Sequence, residues 1–172
     1  LVSLILCVVE LVIVFKFRND VMKLEYEKAN RHFILYSIVS GITLGVTLSL
    51  YSPFAVVMAF AITCAYFGLL HAITTQVKTD FSLIGSICIS ALIPLIIASF
   101  LLIFIHSEAM YWFVTYAGIL IFTGLTLYDF KRIENAYTTI TPESEDSMVL
   151  YLALELYLDF LNLFLYIIRI VG

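Results

Sequence analysis

The chain has 172 residues, 63% of them hydrophobic and 13% charged, with a formal net charge of -4, whereas soluble domains run at roughly 45 to 50% apolar and about 25% charged. A mean hydropathy of +1.08 excludes an ordinary soluble domain and predicts an all-α polytopic membrane protein in contact with the lipid bilayer. Its Lys and Arg residues are scattered among segment ends and form no patch able to release counterions from a phosphate backbone, which excludes nucleic acid as a partner.

Apolar runs long enough to cross roughly 30 Å of hydrocarbon are read at about residues 1–17, 31–51, 53–76, 81–105, 110–130 and 148–171, six spans of one transmembrane domain covering 1–172. The first run opens Leu1-Val2-Ser3-Leu4 with no methionine and no charged n-region, so the chain reads as shortened at its N-terminus rather than led by a signal peptide. It carries an intramembrane acid, Glu10, whose bland role is hydrogen bonding that orders the bundle. A charged linker is expected from Arg18 to Arg31. The second run holds small residues at every fourth position, Ser37, Gly41, Gly45 and Ser49, a ladder expected to admit a neighbouring backbone, with a dimer face as the other reading.

The breaks that follow are Ser52-Pro53, Lys78-Thr79-Asp80 and His106-Ser107-Glu108. Pro94 lies inside the fourth run and is expected to kink it. His71, within the third run, reads as a packing residue, while His32 and His106 sit at span ends. Cys7, Cys64 and Cys88 lie in apolar runs without the close pairing of a zinc or redox site, and are expected to be small buried hydrophobes. The acidic stretch Thr141 to Asp146 lacks the spacing of a calcium loop; it reads as solvated, with Thr141 or Ser144 capping the last helix.

Threading the runs alternately gathers Lys16, Arg18, Lys23, Lys28, Arg31, Lys78, Lys131 and Arg132 on one side, which the positive-inside rule makes cytoplasmic. Arg169 is the exception: either the last segment spans and Arg169 faces the protein interior, or the segment re-enters.

The last run carries the chemistry. Glu155, Asp159, Asn162, Tyr166 and Arg169 follow at steps of four, three, four and three, which places them on one face of a helix otherwise apolar. Asp129 closes the preceding run in Thr126-Leu127-Tyr128-Asp129-Phe130-Lys131-Arg132, so two carboxylates approach membrane depth on consecutive helices. The bland reading of Asp129 is a carboxylate reaching water beside Lys131 and Arg132. Two like charges in low dielectric do not both ionise cheaply, so a proton shared among Asp129, Asp159 and Glu155 makes a pH sensor. The same oxygens, with Asn162 and backbone carbonyls, suit transient binding of Ca²⁺ as a transported ion. No resident cofactor is expected.

The strings Phe122-Thr123-Gly124-Leu125-Thr126-Leu127-Tyr128-Asp129 and Ala153-Leu154-Glu155-Leu156-Tyr157-Leu158-Asp159-Phe160-Leu161-Asn162-Leu163-Phe164-Leu165 resemble the transmembrane Bax inhibitor motif family, whose last helix carries A-L-x-L-Y-L-D-x-x-N-L-F. Ser40-Gly41-Ile42-Thr43-Leu44 and Thr79-Asp80-Phe81-Ser82 match two further places in that pattern, and the resemblance covers the whole chain. It implies seven helices, the C-terminal one central and wrapped by the other six, with the first helix missing here. It also implies a pH-sensitive calcium leak in which Asp129 and Asp159 sense protons and gate the path. For the family's basic latch the nearest matches are Arg18 and Lys16, and Glu155 stands where the pattern tolerates a neutral residue.

Three functions compete: a proton-gated calcium leak channel, a membrane interaction protein regulating cell death or membrane proteolysis, and an intramembrane aspartyl protease. The absence of G-x-G-D before Asp159 argues against the protease, so no enzymatic activity is expected. A bacterial plasma membrane is the preferred location because the stretches outside the spans are short; endoplasmic reticulum or Golgi is the alternative.

Overall fold

The computed structural model describes residues 2–23, 25–102, 104–136 and 145–172, with side chains described from residue 9 onward except residue 11. The described residues form six helices: α1 Val2–Met22, α2 Tyr26–Leu48, α3 Pro53–Gln76, α4 Ser82–Leu101, α5 Glu108–Ala136 and α6 Glu145–Val171. Five of them, α2 to α6, are long and apolar enough to cross a membrane. This is an all-α multi-pass membrane protein.

The expected linker from Arg18 to Arg31 is largely helical. α1 continues to Met22 and α2 starts at Tyr26, because the core face of α1 outlasts its apolar run: Ile13, Phe17 and Val21, four apart, are all buried. Lys16 and Arg18 face outward and do not end a helix held by its other face. The last helix likewise starts ahead of the apolar run at 148, while Thr141 and Ser144 lie outside the described residues. Pro94 sits within α4, which is assigned as one helix from Ser82 to Leu101.

The chain divides into two compact units. One holds residues 1–52 and 137–155. Here Phe17 of α1 meets Phe33 of α2 at 6.3 Å between ring centroids. His32 Nδ1 lies 2.6 Å from Asp20 Oδ2, and the Arg18 guanidinium lies 6.0 Å from the ring centre of Tyr151 on α6.

Among the described residues, no backbone packs on the two glycines of the α2 ladder. A Cβ added at Gly41 or Gly45 would meet nothing within 4 Å, because α2 turns Ala29, Tyr36 and Ser40 inward instead. The hydroxyls of Ser37, Thr43 and Thr47 bond carbonyls one turn back on the same helix.

The second unit holds residues 53–136 and 156–172. Its core gathers Leu70, Leu95, Val114, Phe122, Leu125, Leu163 and Tyr166 from α3, α4, α5 and α6. The close approaches that α2 lacks occur here. Gly85 of α4 lies under the Tyr128 ring of α5, Gly124 of α5 lies against Cys88 of α4, and Gly118 of α5 lies under the Tyr166 ring of α6. Cys64 corrects the expectation of buried thiols: it is exposed, and Cys88 is half-buried, since α3 turns Ala59 and Thr63 inward, not Cys64.

Candidate functional site

Asp129 and Asp159 both belong to the second unit and are 7% and 4% exposed. Asp129 is buried rather than reaching water, as the last buried residue of α5, although the ion pair of its bland reading is present with Arg132. Along α5 the helix satisfies its own buried polar groups: Thr126 Oγ1, three residues before Asp129, donates to the Phe122 carbonyl at 2.7 Å, and Thr115 Oγ1, further back, to that of Tyr111 at 2.8 Å.

Ring contacts fix how the two aspartate-bearing helices meet. Phe122 of α5 lies 6.0 Å from Tyr166 of α6. Moving seven positions forward on α5 reaches Asp129, and seven back on antiparallel α6 reaches Asp159. Phe67 of α3 gives the same register independently, since its ring packs edge-on against Phe130 at 4.9 Å and Phe160 at 5.4 Å, the residues immediately after each aspartate. The two carboxyl-bearing positions therefore stand at one level. Cys88 of α4 lies within electrostatic range of Asp159, and in this unit the last helix shares one core with α3, α4 and α5.

The rest of the polar stripe divides. Asn162 Nδ2 donates to the Leu158 carbonyl of its own helix at 2.8 Å, which engages one of its amide hydrogens locally. Tyr166 is buried, and the Arg169 guanidinium lies 5.0 Å from its ring centre and 5.7 Å from that of Tyr111. Cation–π contact of this kind suits a guanidinium at the end of an apolar helix. Arg169 Nη1 is buried without a hydrogen-bond partner among the described residues, as is Glu10 Oε1 on α1 in the other unit. Glu155, half-buried, also falls in that other unit.

Of the expected latch residues, Lys16 is exposed and Arg18 faces Tyr151. The cation recorded beside Asp129 is Arg132, its Nη1 3.8 Å from Asp129 Oδ1. Lys131 is engaged elsewhere, with Glu134 at 2.7 Å and the Val77 carbonyl at 3.4 Å. The string Asp129-Phe130-Lys131-Arg132 carries both spacings, but only the fold decides which cation takes the aspartate. Among the described residues no group of three or more His, Cys, Asp or Glu is placed to hold a metal ion; the pair offers carboxylates suited to a passing cation.

The fold and this pair define a class: a polytopic helical membrane protein with a levelled pair of buried aspartates on its last two helices. The family model described as "Inhibitor of apoptosis-promoting Bax1" matches residues 1–172, and the chain belongs to that family. It is 35% identical over 175 residues to the inner membrane protein YbhL of Escherichia coli K12, covering 100% of this chain and 74% of that relative. An uncharacterized protein of Deinococcus radiodurans is 33% identical, with 96% of this chain and 72% of the relative covered. One from Borreliella burgdorferi is also 33% identical, with 93% and 70% covered. With relatives of this kind and its apolar helices, the chain is a multi-pass membrane protein of bacterial type.

Proposed function

We propose that this protein is a pH-sensitive calcium leak channel, without enzymatic activity, in which the protonation state of Asp129 and Asp159 controls the path. The observation that carries the reading is the shared level of two buried aspartates, set by Phe67 against both Phe130 and Phe160. A proton shared by the two carboxyls lets α5 and α6 stay packed. Its loss leaves two like charges in low dielectric, which either separate or take a cation between them. Calcium fits as cargo: it accepts carboxylate, carbonyl and water oxygens in irregular geometry, and a pair rather than a cage of carboxylates binds weakly enough for release.

The test is Ca²⁺ flux into dye-loaded proteoliposomes between about pH 5 and 8, with the wild-type chain, Asp129→Asn and Asp159→Asn. The expected result is a wild-type leak whose pH profile shifts or flattens in both variants. A folded wild-type protein that carries no more Ca²⁺ than empty vesicles overturns the reading. The family description supports a second function, a membrane interaction protein without transport; it predicts that Asp159→Asn leaves partner capture intact.

A further inference from the structure

We propose that Arg132 is a tethered counter-cation that occupies Asp129 and competes with the transported cation for it. This rests on the calcium reading and names the regulation of its site. The pair is built within one helix at i,i+3, so Arg132 keeps its place beside Asp129 whatever α6 does. Arg132 Nη1 stands 3.8 Å from Asp129 Oδ1, and the two side chains are 31% and 10% exposed. The guanidinium is thus the wetter member, and an ion arriving from that end of α5 meets Arg132 before the carboxylate.

Exposed ion pairs contribute little because water solvates both partners equally well. Here one partner is almost covered, so the carboxylate has given up water and depends more on the charge beside it. Other charged and titratable groups near it among the described residues are Lys131, Asp159, His71 and Cys88. Lys131 is bound to Glu134 and the end of α3, and Asp159 stands level on α6. His71 of α3 packs its ring on Phe130 at 5.0 Å, and Cys88 of α4 is within electrostatic range of Asp159. At 3.8 Å the guanidinium acts on the carboxylate through its charge, an attraction that an arriving calcium ion must displace. Arg132 therefore sets the calcium concentration at which the site fills.

The experiment measures Ca²⁺ binding to the purified full chain in detergent, and half-saturation of flux in proteoliposomes, for wild type, Arg132→Gln, Arg132→Lys and Arg132→Gln with Asp129→Asn. Thermal unfolding of each variant identifies protein that fails to fold. Arg132→Gln is expected to bind Ca²⁺ about three- to tenfold more tightly, the range of a partly desolvated ion pair. Arg132→Lys should stay close to wild type, and Arg132→Gln should have no effect once Asp129 is Asn. Equal half-saturation in wild type and folded Arg132→Gln overturns this inference and leaves the calcium reading standing. A tightening that persists in the Asp129→Asn background also overturns it, since Arg132 would then act elsewhere. A wild type that neither binds nor carries Ca²⁺ overturns both.

Discussion

Single side chains decide where this chain's polar groups go. Asp80, in the turn before α4, accepts hydrogen bonds from the Ser82 amide at 2.9 Å and from the Ser82 hydroxyl. Those hydrogen bonds hold its carboxyl below the usual carboxylate range. A carboxyl with a depressed folded pKa stabilises the fold above its unfolded pKa, and that contribution is lost as the pH falls through the folded value. Asp80→Asn should therefore lower the melting temperature in detergent at pH 7, and the difference from wild type should shrink as the pH falls below the usual carboxylate range and vanish below the depressed folded value. A difference that persists unchanged in acid would contradict the assignment. The sequence marks Lys78-Thr79-Asp80 as a break, but whether the carboxylate served water or the helix start depends on the turn that follows it. The Asp20–His32 pair was not foreseen at all: the two lie twelve residues apart on separate helices, and no local pattern links them.

At the scale of helices, glycines separate what pattern predicts from what packing uses. The ladder of Gly41 and Gly45 has the four-residue spacing of a helix–helix contact, yet among the described residues nothing packs on either. Gly85, Gly118 and Gly124 stand in no regular ladder, and each lies under a neighbouring side chain. Gly118→Ala forces the Tyr166 ring aside and should destabilise the protein by about 1–3 kcal/mol, the usual cost of overpacking. Gly41→Ala should be neutral or stabilising by up to about 1 kcal/mol, because alanine is the better helix former and nothing opposes its methyl. Thermal unfolding of the two variants side by side checks the contrast; equal effects would mean that the Tyr166 ring does not rest on Gly118. The register of α5 against α6 is likewise a property of ring contacts, Phe122 with Tyr166 and Phe67 with Phe130 and Phe160.

For the whole molecule, the distribution of basic residues predicts an orientation. Lys78, Lys131 and Arg132 fall on the side that the positive-inside rule makes cytoplasmic, while the Ser107 turn carries no Lys or Arg. In a background with the native cysteines replaced, a cysteine at Ser107 should react with an impermeant maleimide added outside intact bacterial cells, and one at Thr79 only after the membrane is opened. The reverse labelling would invert the topology and the end of the path that Arg132 guards.

Composition and period alone determined that this chain is an all-α membrane protein, gave six apolar runs of which the last five fall on helices long and apolar enough to cross a membrane, and marked Asp129 and Asp159 as expensive residues. These conclusions follow because hydrocarbon admits few structures and penalises charge wherever it occurs. Tertiary structure decided the level at which the two aspartates stand, the cation beside Asp129, the glycines that bear close contact and the continuation of α1 past its apolar run. Each depends on which neighbouring side chain fills the space opposite, and periodicity along one helix carries no information about the partner.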